Sequence, residues 1–459
     1  MNEFPQTWTQ CVNAQPIPYE DPAAVADAVR RLRHFPPLVT SWEVERLKRL
    51  IAEAQDGKRF LLQGGDCAET LAECCSPVLA SKIKILMQIS LVLSYGLRVP
   101  VIRIGRFAGQ YAKPRSSLYE TRNGQTLPSY MGDLVNRPEF TPEARRPDPE
   151  LLLSGYQHAA LTLNFVRALS TVGFADLHHP EYWELSFFKR AAMPPALRDE
   201  YERTTRAVSE SVRFMETLGE SSHELSHVEF YSSHEALNLP YESAQTRAVP
   251  RNPGFYDLTT HFPWIGERTR ALDGAHVEFF RHIRNPLGLK VGPTSVPEDI
   301  VRLMERLNPD DEPGKLVLIT RMGVKNVTRA LPPLIEAVRR SGRRVLWVCD
   351  PMHGNTQTTA NGVKTRDFAD ILSELESTLD VHSAHQSHLG GVHFELTGDD
   401  VTECLGGAAE LSADDLSRNY ATACDPRLNY RQALEMGFRL SRKLGARFAS
   451  PGGAEASSG

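Results

Sequence analysis

The 459-residue sequence lacks the features that would indicate a secretory signal or a membrane span. Its first ten residues, "MNEFPQTWTQ", contain no basic segment followed by an apolar block. The most apolar run, "ILMQISLVLSYGL", is too short to span a bilayer, and Gln, Ser and Gly interrupt it. We therefore expect a cytoplasmic protein that does not act in a membrane.

Cysteine is scarce, and basic clusters are missing. Seven scattered cysteines, an odd number, do not make a disulfide framework. We expect them to be reduced, and five to be small buried hydrophobes, namely Cys11, Cys74, Cys75, Cys349 and Cys404. The net charge of −5, with no basic run interleaved with aromatics, predicts no nucleic-acid partner. An anionic ligand would have to be small and held by a local cluster.

What the sequence does contain is an alternation of apolar strands and amphipathic helices. Helix-length segments such as "PEDIVRLMERLN" and "LPPLIEAVRRSG" separate the later strands, which predicts a parallel sheet covered by helices. Eight such units favour a closed (β/α)8 barrel over an open doubly wound sheet. The eight predicted strands are "FLLQGG", "VPVIRIG", "HVEFYSS", "FYDLTT", "LGLKVG", "LVLITR", "VLWVCD" and "VHFELTG".

Three segments do not follow this alternation. Residues 1–58 predict a helical N-terminal extension, and residues 174–222 predict a helical insertion between the second and third strands. Both are interpreted as decorations for assembly or regulation. Residues 447–459, rich in Gly, Ala and Ser, predict a frayed tail. The catalytic barrel would then span residues 59–446.

Chemically useful side chains follow each predicted strand apart from the third. Catalytic groups of such barrels lie at the carboxyl ends of the strands, where the loops converge. In chain order, the candidates are Cys67, Arg106, Glu267, Arg268, Lys290, Arg321, His353, Glu395 and, in a later loop, Asp425.

The basic candidates indicate an anion site. Taken singly, each could be a surface charge. Arg106, Lys290 and Arg321 end apolar strands, however, and an unpaired charge in such a setting costs several kcal/mol. Arginine forks and lysine ammonium groups suit phosphate and carboxylate oxygens. With Lys113 and Arg115 of "KPRS", the cluster is large enough for two phosphorylated ligands.

The softer candidates, Cys67, His353, Glu395 and Asp425, indicate a divalent transition ion with a position open for substrate. Individually, each could be an ordinary core or turn residue. Asp350 either orients a ligand or caps the turn before His353, and Gly354 would allow close backbone approach.

Four other histidines are assigned structural roles. His382, His385 and His388 precede strand eight and should lie at the opposite end of the barrel, on the surface or in a loop. His393 is two residues before Glu395 on one strand, so both should face the barrel interior.

Seven motifs together resemble the type II, plant-type 3-deoxy-D-arabino-heptulosonate 7-phosphate (DAHP) synthases. They occur in the family's order and spacing and are "LLQGGDCAE", "AGQYAKPRS", "SHEAL", "WIGERTR", "DPMHGNT", "ELTGDDVTEC" and "ACDPRLN". The resemblance implies a metal-dependent (β/α)8 enzyme that condenses phosphoenolpyruvate with D-erythrose 4-phosphate and water. This reaction opens the shikimate pathway to chorismate and the aromatic amino acids.

The resemblance also implies a role for each site residue. The metal ligands would be Cys67, His353, Glu395 and Asp425, holding manganese or cobalt, with zinc or iron as alternatives. Phosphoenolpyruvate would bind at Arg106, Glu267, Arg268, Lys290 and Arg321, and erythrose 4-phosphate at Lys113, Arg115 and Ser116. The catalytic groups would be Glu267, Lys290 and Arg106, with Glu267 positioning a water. A homodimer or homotetramer is expected, with chorismate mutase as a candidate partner.

Two other functions stay open at this point. Lys290 could form an imine with a carbonyl substrate, as in a Schiff-base aldolase. A degenerate barrel could instead act as a binding partner of another enzyme of aromatic biosynthesis.

Overall fold

Eight parallel strands close into a barrel in the computed structural model, which describes residues 3–171, 195–217, 228–250 and 253–448. Each strand pairs with its neighbours in chain order, and the last pairs with the first. The predicted (β/α)8 fold is confirmed. The barrel strands are β1 Phe60–Gly65, β2 Val101–Arg106, β3 Tyr231–Glu235, β4 Phe262–Ile265, β5 Leu287–Val291, β6 Leu316–Thr320, β7 Leu346–Cys349 and β8 Leu389–Glu395.

At least one helix follows every strand and returns the chain to the other end of the barrel. The helices are α1 Pro22–Arg33, α2 Ser41–Gln55, α3 Ser76–Leu97, α4 Pro142–Arg145, α5 Glu150–Thr171, α6 Pro195–Thr217, α7 Leu239–Gln245, α8 Ala275–Phe280, α9 Pro297–Leu307, α10 Val327–Ser341, α11 Phe368–Ala384 and α12 Tyr430–Phe448. Because all strands are parallel, their carboxyl ends form one rim, called the mouth below.

Strand register brings functional residues to the same level of the mouth. Gly65 pairs with Arg106 of β2 on one side and with Glu395 of β8 on the other. A side chain at Gly65 would strain its positive φ of 141°, and its Cβ would lie 2.9 Å from the carbonyl oxygen of Arg106. Glycine at this position therefore lets strands β1 and β2 approach closely.

The predicted position of the fourth barrel strand was wrong. The segment "FYDLTT" contributes Phe255–Asp257 to a two-stranded antiparallel hairpin with Thr246–Ala248, outside the barrel. The barrel strand is the next segment, Phe262–Ile265, which contains Pro263. Proline is rare within central strands because it lacks a backbone N–H. The correction moves the strand to within two residues of Glu267.

Helix α2 belongs to the core and is not merely a decoration. Its residues Leu47, Ile51 and Ala54 lie on one helical face, are fully buried, and join a cluster with inward-facing residues such as Leu61 and Val317. Thr40 caps the helix through a capping box with Glu43. The N-terminal extension thus closes the barrel at the end opposite the mouth.

Helix α3 contains the apolar run noted in the sequence. The helix extends this run to 22 residues and could cross a membrane by length and composition, so the prediction that the run is too short does not hold for the whole helix. However, 72% of its most apolar window is buried inside the molecule. It packs against α12, where Gly437 allows contact with Ile89. We therefore interpret α3 as a core helix of the barrel's outer layer.

Two other predicted segments are only partly within the described residues. Helix α6 lies in the predicted insertion, 174–222, whereas residues 174–194 and 218–222 lie outside the described ranges. The predicted tail lies outside them from residue 449 onward. The domain boundaries at 58 and 446 stay predictions.

All seven cysteines are free, in agreement with the expected lack of disulfides. Cys349 and Cys404 are buried as predicted, whereas Cys11 and Cys74 are partly exposed. Cys75 is exposed, so its predicted burial was wrong. It occupies the N-cap position of α3, where its side chain makes no capping hydrogen bond.

The reassigned fourth strand gives a stability prediction. Phe262 is fully buried inside the barrel, so Phe262→Ala should lower the free energy of unfolding by about 3–5 kcal/mol. Urea denaturation followed by circular dichroism measures this change. As a control, Val296→Ala, at a half-exposed position, should stay within about 0.5 kcal/mol of wild type. Equal midpoints for the two variants would contradict an inward position of Phe262.

Candidate active site

A cavity of about 320 Å³ opens at the mouth of the barrel. Its wall combines five cationic side chains with three acids, a histidine and a tryptophan. These residues are Arg106, Lys113, Arg268, Lys290, Arg321, Glu235, Glu267, Asp425, His353 and Trp264. Most of the predicted site residues therefore converge, although they come from separate loops.

The four predicted metal ligands form one continuous group beside this cavity. His353 Nε2 lies 3.0 Å from Glu395 Oε1, and Cys67 Sγ lies 3.5 Å from Asp425 Oδ2. The donor atoms of His353, Glu395 and Asp425 lie within 4.8 Å of one another. One sulfur, one nitrogen and carboxylate oxygens form a donor set that suits a divalent transition ion.

Asp350 both caps the turn and orients His353. Its Oδ1 accepts hydrogen bonds from the backbone N–H groups of Met352 and His353, while Oδ2 contacts His353 Nδ1 at 2.7 Å. Nδ1 is thereby engaged, and Nε2 points to the ligand group. Gly354 is needed here because a Cβ would lie 2.3 Å from the backbone nitrogen of Gly323.

Glu395 carries a buried charge that several cations neutralise. Burial alone would raise its pKa, but His353, Lys113, Arg366 and Arg106 hold the pKa well below its usual range. Arg366 Nη1 and Arg106 Nη2 donate to its two oxygens at 2.7 and 2.9 Å. Glu395 is therefore ionised and available as a ligand.

Cys67 lies beside a second thiol, that of Cys424. Burial raises the pKa of the Cys67 thiol well above its usual value. The hydrogen bond between the two thiols lowers the pKa of Cys424 to about 6. A bound divalent ion would reverse the effect on Cys67, because a coordinating thiol is deprotonated outright.

Lys290 projects into the barrel between acidic and basic neighbours. It forms an ion pair with Asp350, and its Nζ donates to His393 Nε2 at 3.1 Å. Burial lowers the pKa of Lys290 to about 8, although Asp350 opposes that shift. His393 donates through Nδ1 to Gln63 at 2.7 Å, so it packs inward as predicted.

The arginines of the cavity differ in how strongly they are held. Arg106 donates to the carbonyl oxygens of Asp66 and Cys67 at 2.7 and 3.0 Å. Arg321 pairs with Glu267 and donates to the carbonyl of His353 at 2.7 Å. Arg268 is exposed and has no ion-pair partner among the described residues. Glu267 pairs with Arg321, and not with Arg268.

The "KPRS" segment is only partly within the cavity. Lys113 lines it, with Nζ 3.5 Å from Glu395 Oε1 and 3.9 Å from Asp425 Oδ2. Arg115 Nη1 instead contacts Cys424 Sγ at 3.5 Å, and Ser116 is exposed. Arg115 and Ser116 do not line the cavity, so this segment's predicted ligand would extend beyond it.

Three titratable side chains at the site were not predicted from the sequence. Glu235 ends β3 inside the "SHEAL" motif, and its carboxylate has no hydrogen-bond or ion-pair partner among the described residues. Its place at the end of a barrel strand was a usable signal. Arg366 comes from the hairpin Thr356–Thr358/Lys364–Arg366, which no strand pattern predicted. Cys424 was detectable only as the neighbour of Asp425.

The histidines near residue 385 do not reach the mouth. His382 lies in α11, is buried and packs edge-on against Trp347, with ring centroids 5.4 Å apart. His385 contacts Glu336 at 3.0 Å. The predicted separation from the metal group is confirmed for the described residues, but the predicted surface position of His382 was wrong.

Comparison with known proteins covers nearly the whole chain. The sequence profile of the Class-II DAHP synthetase family matches residues 3–441. The phospho-2-dehydro-3-deoxyheptonate aldolase of Neurospora crassa is 48% identical over 454 residues, which cover 95% of this chain and 93% of that protein. The protein of the same name from Streptomyces coelicolor is 48% identical over 435 residues, 95% of this chain and 96% of that protein.

Among solved structures, the phospho-2-dehydro-3-deoxyheptonate aldolase of Francisella tularensis SCHU S4 aligns with a TM-score of 0.49 at 13% identity. The alignment covers 92% of this chain and 96% of that chain. At this TM-score, the fold assignment rests on the strand pairing described above.

The lowered pKa of Lys290 gives a testable pH dependence of anion binding. Above about pH 8 the ammonium loses its proton, so the dissociation constant for sulfate, which stays dianionic, should increase with pH. Well above the pKa the increase should be about tenfold per pH unit if only the protonated form binds. Isothermal calorimetry between pH 6.5 and 9.5 measures it, and Lys290→Arg, charged throughout, should show little change. A constant wild-type affinity would contradict the assignment.

Proposed function

Because the chain belongs to the Class-II DAHP synthetase family, we propose that its mouth condenses phosphoenolpyruvate with D-erythrose 4-phosphate and water. The products are DAHP and inorganic phosphate, which makes this the first step of the shikimate pathway. The observation that carries the proposal is the juxtaposition of a metal-type donor group with a cavity lined by five cations. A single anion would not need so many.

Cys67, His353, Glu395 and Asp425 would hold one divalent ion. The geometry fits, because His353 Nε2 is directed toward Glu395 while Asp350 occupies the other ring nitrogen. The family membership implies manganese or cobalt, with zinc and iron as alternatives. When bound, the ion supplies Lewis acidity toward the aldehyde oxygen of erythrose 4-phosphate.

Arg106, Lys290, Arg321 and Arg268 would bind the phosphate and carboxylate of phosphoenolpyruvate. The first three are fixed by carbonyl or carboxylate contacts, so their orientation is set before substrate arrives. Among the residues that the structure describes, Arg268 has no such contact, so it can turn to the ligand. Lys113, with Arg115 and Ser116 farther out, would receive erythrose 4-phosphate. Holding two mutually repelling anions in reacting geometry lowers the barrier substantially.

Glu267 would position the water. As C3 of phosphoenolpyruvate bonds to the aldehyde carbon, positive character develops at C2, and the aldehyde oxygen takes up a proton. Water adds to C2 and gives up a proton, and the resulting hemiketal phosphate expels inorganic phosphate. Glu267 is already paired with Arg321, whereas Glu235 in the same cavity has no such partner within the described part of the chain. Glu235 would therefore provide a second acceptor for that proton.

Several wider properties stay proposals. We expect a cytoplasmic homodimer or homotetramer, with chorismate mutase as a candidate partner.

A Schiff-base aldolase would use the buried amine of Lys290, whose pKa is about 8. The donor group beside Lys290 and the family membership favour the metal-dependent condensation.

The central test is phosphate release by the purified chain. Release from phosphoenolpyruvate should require erythrose 4-phosphate. Arg321→Ala should lower kcat/KM for phosphoenolpyruvate by at least about 10-fold, because a hydrogen bond to a charged group contributes about 1.5–3 kcal/mol. As a control, Arg302→Ala removes an exposed arginine of α9 whose ion-pair partner is Asp299 on the same helix. Unchanged kinetics for Arg321→Ala would contradict its role.

Metal removal distinguishes the metal-dependent condensation from a Schiff-base aldolase. Dialysis against a chelator should abolish condensation, and added manganese or cobalt should restore it, because the Lewis acid is then present again. The assay is phosphate release before and after each step. Full activity of the stripped protein, combined with borohydride trapping of substrate on Lys290, would instead support a Schiff-base aldolase.

A further inference from the structure

A buried ion network lies directly behind the candidate metal ligands. Arg427 Nη1 donates to Asp66 Oδ1 at 2.6 Å, and its Nη2 and Nε donate to the two oxygens of Glu403 at 2.8 and 3.1 Å. Lys82 Nζ lies 2.5 Å from Asp66 Oδ2. All four residues are at most 5% exposed. These two acids and two bases are paired away from solvent. At the edge of the network, the partly exposed Glu73 lies 3.4 Å from Lys82 and 3.9 Å from Arg427.

The network joins two segments that carry candidate ligands. Asp66 immediately precedes Cys67, and Arg427 follows Asp425 by two residues. The ion pair between Asp66 and Arg427 therefore fixes the loop after β1 against a loop about 360 residues later. The backbone N–H of Asp425 contacts Cys67 Sγ at 3.3 Å, which shows how closely the segments approach.

Glu403 holds both ends of the second loop. One oxygen accepts a hydrogen bond from the backbone N–H of Ala421 at 3.2 Å, and the other accepts one from the backbone N–H of Arg427 at 2.7 Å. Residues 422–426, which include Cys424 and Asp425, span the interval between these anchors. A single buried carboxylate thereby sets the conformation of the ligand-bearing loop.

None of the four network residues is among the described residues that line the cavity. Direct contact with substrate therefore does not explain them. Stability is a weak explanation as well, because buried ion networks are often no more stabilising than apolar side chains of similar volume. Groups that hold metal ligands in place, in contrast, commonly change metal affinity when they are replaced.

We propose that Arg427, held by Asp66 and Glu403, is a positioning residue that sets Cys67 and Asp425 at the spacing a divalent ion requires. The inference rests on the proposed metal site and extends it to side chains that touch neither metal nor substrate. Lys82 completes the network by neutralising the second oxygen of Asp66.

Replacing Arg427 tests this role through metal binding and not through turnover. Arg427→Met keeps much of the side-chain volume but removes the fork, so cobalt affinity should fall by about 10–100-fold. Isothermal calorimetry measures the affinity, and the thiolate-to-cobalt absorption band should weaken because the Cys67 sulfur is displaced. Arg427→Lys, whose ammonium cannot bridge both acids, should bind cobalt with intermediate affinity.

Arg145→Met is the matched control. Arg145 is also buried, and its guanidinium donates to Glu120 and to the carbonyl of Pro138, at 2.5 and 2.8 Å. It joins no candidate metal ligand. Its loss should lower the melting temperature but leave cobalt affinity within about twofold of wild type, as expected for uncoupled sites.

The possible outcomes are distinct. Wild-type protein that binds no cobalt would overturn the metal site and the positioning role together. Wild-type affinity and spectrum in Arg427→Met would overturn the positioning role alone. An equal loss of affinity in Arg145→Met would also overturn it, because the effect would then follow stability. If Arg427→Met does not fold, Arg427→Lys and Asp66→Asn decide the question by the same measurements.

Discussion

The buried charge of Glu395 is the constraint on which the rest of the mouth depends. A carboxylate without solvent is costly unless cations pair with it, and those that do come from separate parts of the chain. Arg106 ends β2, Lys113 lies in the following loop, Arg366 comes from a hairpin and His353 follows β7. Neutralising this one charge therefore draws four segments together, and the same convergence forms the cavity.

The loops around the mouth share a second feature, in that buried acids hold their backbones. Glu69 accepts hydrogen bonds from three successive backbone N–H groups beginning at Ala108, and burial raises its pKa to about 7. Glu374 accepts from Met322 and Gly323, and burial likewise raises its pKa to about 7. Glu403 likewise accepts backbone hydrogen bonds at both ends of the loop that carries Asp425. Side chains on irregular loops thus gain the fixed orientation that catalysis requires.

The fold and the strand-end residues were predictable because both follow from periodicity. Apolar runs separated by amphipathic helices predict a parallel barrel, and a parallel barrel brings every strand's carboxyl end to one rim. The fourth strand was missed because Pro263 lies within it, while the neighbouring "FYDLTT" has the stronger strand composition. Arg366, Cys424 and Arg427 were missed for a different reason. Their roles depend on tertiary contacts between distant loops, which leave no periodic signal.

The mouth of the barrel carries the candidate active site, whereas the opposite end contributes apolar packing that stabilises the fold. At the mouth, many charged groups are buried, and each raises the cost of folding unless its partners are all in place. At the opposite end, α2 inserts Leu47, Ile51 and Ala54 into an apolar cluster with the barrel interior, where burial is favourable without any such condition. The N-terminal extension therefore adds apolar core whose stabilising effect does not depend on the pairing of charges. A mouth so rich in buried charge is tolerable because the other end of the same barrel is closed by apolar packing.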